Sequence, residues 1–269
     1  MAHSSRPAAQ AFDAIAPIFD ARFENWESVA AQRRAVRRAL AQAFPVRSRI
    51  LEVGGGTGED AVWLARQGHH VTLTDASAAM VRQARIKLAP LGGEAHIAAA
   101  EDLGLFADEH LGRDGTSFDG AFSNFAPLNC VEDLTPVACG LARLINPGGR
   151  VLLVLFGILS PGEILVEMLR GRSSQALRRF GRGPVSAQLG GKQFDVIYHS
   201  GAVLERAMRP WFRPVRRLGI GVFVPPSAAE PWISRHPEFL KALERLDRFA
   251  ERPLALLGDH ILYQFERNP

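Results

Sequence analysis

Arg49-Ile50-Leu51-Glu52-Val53-Gly54-Gly55-Gly56-Thr57-Gly58 is the stretch on which the fold turns. Five residues that read as a short buried strand run directly into a glycine bend, and 59–67 then reads as a helix. That helix has acids in its first turn and Gly68 in the terminating position. Glycines let the backbone turn tightly and let a ligand approach it, while the helix N-terminus offers unpaired amides. A second strand over 70–74 ends at Asp75. A carboxylate at that strand tip is placed to accept hydrogen bonds from ribose hydroxyls. The rival layout is the dinucleotide fingerprint, which requires Gly-x-Gly-x-x-Gly. Gly54 and Gly56 would demand a third glycine where Glu59 stands, and an acid there repels a pyrophosphate. A nucleoside cofactor without phosphates fits better.

Working outward, Ser77 caps a helix whose apolar face is Met80, Val81, Ala84 and Leu88, and Pro90 ends it. Strands follow over 95–99 and 118–123, then a helix over 134–145. Next come the turn Asn146-Pro147-Gly148-Gly149 and a strongly apolar strand over 150–156. Strand and helix alternate, and the strand runs are apolar throughout, the pattern of a parallel sheet covered on both faces. Upstream, 10–43 has helical spacing at Phe19, Phe23, Trp26, Val29, Ala30, Val36 and Leu40, closed by Pro45. Downstream the spacing predicts a helix over 164–180, a flexible connection over 181–191 and strands over 193–198 and 215–224. A helical stretch over 231–249 and a last strand over 260–265 complete it. This is one domain. It divides into an N-terminal helical lid (10–45), a cofactor-binding core (46–157), a cap inserted after the fifth strand (158–214), and the last strands and helix of the sheet (215–269).

The 269 residues are 47% hydrophobic and 22% charged, as in an ordinary globular protein. No apolar run approaches the ~18 residues a membrane-spanning helix needs. Arg6, Pro7 and Asp13 break up any signal-peptide core, and two cysteines, Cys130 and Cys139, suit a reducing cytoplasm. No His, Cys and Asp cluster has metal spacing, so no metal is expected. The net charge of +4 is local: 158–217 carries eleven Arg and Lys against four acids. Such a stretch attracts an anionic substrate, a nucleic acid or a membrane surface, or is simply a solvated face.

Glu52-Val53-Gly54-Gly55-Gly56-Thr57-Gly58, the acid Asp75 seventeen residues after its last glycine, and Asn146-Pro147-Gly148-Gly149 together resemble class I S-adenosylmethionine-dependent methyltransferases. The nearest group is the small-molecule one that includes the ubiquinone and menaquinone C-methyltransferases. The resemblance runs from 12 to about 156. It implies an α/β, doubly wound, mostly parallel seven-stranded sheet and S-adenosyl-L-methionine as cofactor. By position it implies that Gly54, Gly55, Gly56 and Gly58 lie against the cofactor, with Glu52 nearby positioning either the loop or the methionine moiety. Asp75 and Ala76 would hold the ribose, and Met80 would cover the adenine. Where the family often has Asp-Ala or Asn-Ala after the third strand, this chain has Ala99-Ala100, so Glu101 or Asp102 would supply the adenine acceptor. Ser123 and Asn124 resemble residues at the methionine end. Phe12-Asp13 and Phe19-Asp20 resemble the aromatic lid that closes over the cofactor in many members.

The reaction this implies is an in-line displacement at the sulfonium methyl, for which the protein chiefly supplies alignment and a dry pocket. A general base is needed only for a nucleophile that sheds a proton early. His199 and His260 are the candidates, ahead of His236; His69 and His70 fall on the wrong side of the sheet. After the fourth strand, Ser123-Asn124-Phe125-Ala126-Pro127-Leu128-Asn129 lacks the Asn-Pro-Pro-Tyr pattern of adenine and glutamine N-methyltransferases. The arginines of the cap are not interleaved with stacking aromatics, which also weighs against nucleic acid. A small-molecule acceptor at O, N or C beneath the cap is therefore expected. Two alternatives stay open: an RNA- or protein-modifying enzyme that docks through the basic cap, and a non-methylating, cyclase-like homologue. The oligomeric state is not legible.

Overall fold

Strands whose side chains are apolar on both faces need cover on both, and the computed structural model shows how this chain provides it. The structure describes residues 6–114, 117–181 and 183–269. In chain order the elements are α1 (Pro7–Ile15), α2 (Phe19–Phe23), α3 (Glu27–Ala43), β1 (Arg49–Val53), α4 (Glu59–Arg66), β2 (His70–Asp75), α5 (Ala78–Leu88) and β3 (Glu94–Ile97). Then come α6 (Leu103–Asp114), β4 (Phe118–Ser123), α7 (Thr135–Leu144), β5 (Ile145–Phe156), α8 (Pro161–Leu169), α9 (Ser173–Ala176), β6 (Val185–Leu189) and β7 (Lys192–Val196). The chain closes with α10 (Gly201–Met208), β8 (Phe212–Ile220), α11 (Pro237–Ala250) and β9 (His260–Arg267).

Among the described residues the main sheet has seven strands in the order β3-β2-β1-β4-β5-β9-β8. β1, β2, β3, β4 and β5 pair in parallel; β9 runs antiparallel between β5 and β8. The strand order reverses between β1 and β4, and a doubly wound sheet opens its ligand crevice at the carboxyl ends of such a pair. The period of two then sorts β1. Leu51 and Val53 join the core cluster beneath α6, α7 and α10, while Ile50 joins the opposite cluster beneath α3, α4 and α5. Glu52 shares the parity of Ile50, so its carboxyl is sent towards α3 and α4.

The structure departs from the sequence expectations in four places. The 10–43 helix is three pieces: it breaks at Pro17, which has no N–H to donate, and again before Trp26, whose backbone is extended. The 164–180 helix is cut at Gly171, which sits at φ +70°. The 181–191 connection contains β6, which pairs with β7 through Gly190 and Gly191, both at positive φ. Two glycines of that hand make the tight turn a hairpin requires. Finally, α6 and α10 have no counterpart among the expected elements: α6 follows a turn with no side-chain cap, whereas α10 does open on Ser200, whose hydroxyl accepts from Val203 N–H at 3.4 Å. No helix among the described residues is long and apolar enough to cross a membrane.

Candidate functional site

The glycine bend is pinned before any ligand arrives. Gly54 and Gly55 N–H both donate to the Thr74 carbonyl at the end of β2, at 2.7 and 3.2 Å. A side chain at Gly55 would drive its Cβ to 2.4 Å from Leu73 Cδ1, so glycine there is a packing requirement. Gly56 differs: it stands at φ +56°, and a Cβ would meet nothing within 4 Å. It faces open space in the crevice, the cradle a ligand fills. Gly54 lines the crevice beside it, and Gly58 closes the bend ahead of α4.

Asp75 stands opposite. Its Oδ2 accepts from Gly56 N–H at 2.9 Å and its Oδ1 from Ser77 N–H at 2.8 Å. Each carboxylate oxygen carries a second lone pair, so two vicinal hydroxyls can still be accepted. Burial raises the carboxyl's pKa and Asp13 adds to the rise, against those two N–H groups. Ala76 and Met80 line the same end, Met80 packed with Ile15 and Ala16 and against Phe12 and Phe19. Ala100 and Glu101 line it too, whereas Asp102 lies behind them.

At the far end of the bend, Asp60 is buried and fully engaged. Arg33 Nη1 reaches it at 2.8 Å, Arg37 Nε at 2.7 Å and Asn124 Nδ2 at 2.7 Å. Glu52 beside it is not. Ala61 N–H donates to the Glu52 carboxyl, but Oε2 is buried with no partner among the described residues. Burial and then the charge of Asp60 hold its pKa well above the ordinary carboxylate value. Arg33 and Arg37 are spent on Asp60, so what Glu52 Oε2 lacks is a donor, preferably a charged one, of its own. The α-ammonium of a methionine moiety is one, and with the open Gly56 and the free lone pairs of Asp75 the residues present fit S-adenosylmethionine. Ser123, by contrast, is buried behind the crevice wall.

The structure separates the two histidines. His199 is buried with Nε2 2.8 Å from the Val131 carbonyl and is not part of the crevice wall. His260 lines the crevice, with its ring against Phe156 (centroids 4.8 Å) and Phe125 (6.0 Å). Its Nδ1 lies 3.2 Å from Asp259 Oδ2. Asp259 is held in turn by Arg179 Nη2 at 2.7 Å and Gln32 Nε2 at 3.2 Å. Burial pushes the Asp259 pKa up, but His260 and Arg179 outweigh it and hold the group well below the usual carboxylate range.

Several of these residues carry no signal in the sequence. The lid is latched by its acids rather than its rings. Asp13 Oδ1 accepts from Ser77 Oγ and Ala79 N–H at 2.6 and 2.8 Å, and Asp20 Oδ1 accepts from Thr57 Oγ1 at 2.6 Å. Arg6 closes the crevice on Glu101 (3.4 Å) and Asp102 (3.0 Å). Phe19 lines the crevice in a ring contact with Phe12 and Phe23. Asp60 reads in the sequence as an acid complementing a helix dipole; nothing local shows that two arginines from α3 converge on it. The crevice as a whole encloses about 1690 Å³. A single small ligand needs about 300–1,000 Å³, so there is room for a cofactor and an acceptor.

Residues 50–149 match a family described as a methyltransferase domain. The chain is 30% identical over 138 residues to the tRNA 5-carboxymethoxyuridine methyltransferase of Escherichia coli (strain K12), covering 50% of this chain and 49% of that protein. It is 32% identical over 168 residues to the malonyl-[acyl-carrier protein] O-methyltransferase of Erwinia pyrifoliae, covering 60% and 57%. The chain thus spans about half the length of these relatives. A solved S-adenosylmethionine-dependent methyltransferase from Mesorhizobium loti superposes with a TM-score of 0.52 at 19% identity, covering 86% of this chain and 96% of that one.

Proposed function

We propose that this chain, which carries a class I S-adenosylmethionine-dependent methyltransferase core, transfers a methyl group to an O, N or C nucleophile of a small molecule bound beneath its cap. One observation carries the reading. The crevice runs unbroken from Gly56, Asp75 and Glu52 at the cofactor end to His260, Phe156 and Tyr198 at the cap end. When bound, S-adenosylmethionine supplies a methyl group already activated by its sulfonium. The chain's own residues then have three tasks. Asp75 and Glu52 hold the ribose and the ammonium and so fix where the methyl points. Lid and cap exclude water, which keeps the displacement in line and dry. His260, which lines the cap end of the crevice, would accept the proton that an O–H or N–H acceptor sheds. A buried His260 ring set between Phe125 and Phe156 suits a small acceptor rather than a polymer.

Isothermal titration tests the cofactor half. S-adenosylhomocysteine should bind the parent, and Asp75→Ala should weaken binding by about 1–3 kcal/mol through lost hydrogen bonds. Equal binding by Asp75→Ala would overturn the assignment. The acceptor half is tested by formation of S-adenosylhomocysteine across a panel of small O, N and C nucleophiles, with His260→Ala as the comparison.

A further inference from the structure

The β6–β7 hairpin of the cap is too small to hold itself together. Two strands of five residues are marginal alone, and neither main core cluster contains a residue of this pair. Its two ends are fixed separately. At the root, the Asn129 carbonyl accepts from Ile197 N–H at 2.7 Å and its Nδ2 donates to the Ile197 carbonyl at 2.5 Å. The remaining Oδ1 of Asn129 accepts from Phe156 N–H at 3.1 Å, which ties the root to the cap end of the crevice. The tip lies on α1 instead. Phe194 stacks near Phe12 (centroids 6.0 Å), and Gly190 comes so close that a Cβ there would stand 2.9 Å from Ala14 Cβ. Leu189 reaches further, into the small cluster of Ile15, Ala16 and Met80. Met80 lines the Asp75 end of the crevice.

Hydrogen bonds tie α1 to that same end. Ser77 carries them: its N–H donates to Asp75 Oδ1 at 2.8 Å and its Oγ to Asp13 Oδ1 at 2.6 Å. A continuous chain of contacts therefore runs from Asp75 through Ser77 and Asp13 to α1, across to Leu189 and Phe194, and back through Asn129 to Phe156. We infer, resting on the methyl-transfer reading, that the hairpin is a wall of the cofactor site. Leu189 and Phe194 close with α1 over a ligand held by Gly56 and Asp75, so the cofactor alone orders the roof beneath which the acceptor then binds. The hairpin is built for an inward role. Ala187, Leu189, Phe194 and Val196 share its apolar face and line the crevice, while Ser186, Gln188 and Gln193 on the other face are exposed. A hairpin serving the acceptor alone would pack only at the cap end, whereas this one sends its tip to the cluster of Met80. A ligand that binds the closed roof better than the open one must shift the chain towards closure.

Amide exchange of the full chain, with and without S-adenosylhomocysteine and with no acceptor present, tests it. The ligand should slow exchange at 185–196 about fivefold or more, together with 7–15. The double variant Leu189→Ala, Phe194→Ala trims half-buried side chains outside both main cores, so its unfolding midpoint should match the parent's. Its dissociation constant for S-adenosylhomocysteine should nevertheless rise about tenfold, and Leu189→Met with Phe194→Tyr should recover most of the loss. Ligand binding that protects 7–15 but leaves 185–196 exchanging as in the free protein would overturn the proposal and leave the methyl-transfer reading standing. So would a double variant that binds as tightly as the parent. The exchange comparison uses the parent alone and does not depend on how the variant folds. Absence of S-adenosylhomocysteine binding by the parent would overturn both readings.

Discussion

Gly55 and Gly56 are neighbours in one bend but are glycine for different reasons, and substitution separates them. At Gly55 an added Cβ lands 2.4 Å from Leu73, whereas at Gly56 it projects into the crevice. Gly55→Ala should therefore cost stability, about 1–3 kcal/mol as an overpacked core position does, seen as a lower midpoint in chemical unfolding. Gly56→Ala should unfold within about 1 kcal/mol of the parent, the cost of a left-handed alanine, yet lose most S-adenosylhomocysteine affinity in titration. Glu52 makes a second prediction at this scale. Burial and Asp60 raise its pKa, so between the ordinary carboxylate range and that raised value an arriving ammonium displaces a proton from it. Cofactor binding should release that proton and tighten as pH rises from the ordinary carboxylate range towards Glu52's raised value. Titrations of the parent in two buffers of different ionisation enthalpy should differ in apparent heat; with Glu52→Gln they should agree.

Elements are legible where the sequence signal is local. The Ser77 cap of α5 is where spacing places it, accepting from Met80 N–H at 3.1 Å, and the apolar face of that helix is buried throughout. What cannot be read is the help that cap receives from far away. Asp13 in α1 reaches the same helix start, and Asp20 in α2 reaches Thr57 in the bend and Lys87 in α5. No spacing rule connects residues 64 positions apart. The glycine bend and Asp75 are visible because both belong to one strand–turn–helix–strand unit, whereas Arg179 and Asp259, 80 positions apart, meet only once the cap has folded. The lid contacts can be tested as an element. Asp13→Ala removes a capping interaction of about 1 kcal/mol, which should raise amide exchange across α1 and the first turn of α5 by about fivefold. Exchange in β1 and β4 should not change. Uniform acceleration would mean that the lid is not a separable unit.

At the scale of the whole molecule, two buried carboxylates at the β8 and β9 end of the sheet set opposite pH dependences. Asp259 has its pKa depressed by His260 and Arg179 despite burial. Its contribution to stability is present above the ordinary Asp value and is lost as acid takes the pH through the depressed one. Asp247 on α11 is the reverse. Burial raises its pKa to about 6, against the backbone N–H groups of Phe223 (2.6 Å), Val224 and Gly221 and the charge of Arg38. A group whose folded value is raised binds more protons folded than unfolded, so its relative stabilisation is complete below the unfolded value and fades as pH climbs through the folded one. Between pH ~4 and ~6 the parent should lose up to about 3 kcal/mol at this site, because each tenfold difference in proton affinity between the folded and unfolded chain is worth ~1.4 kcal/mol. Asp247→Asn cannot titrate and should not lose it. Unfolding curves at a series of pH values should therefore show the parent falling relative to Asp247→Asn from pH ~4 to ~6. A difference that stays flat would mean that the backbone N–H groups of the turn after β8, rather than burial, govern Asp247.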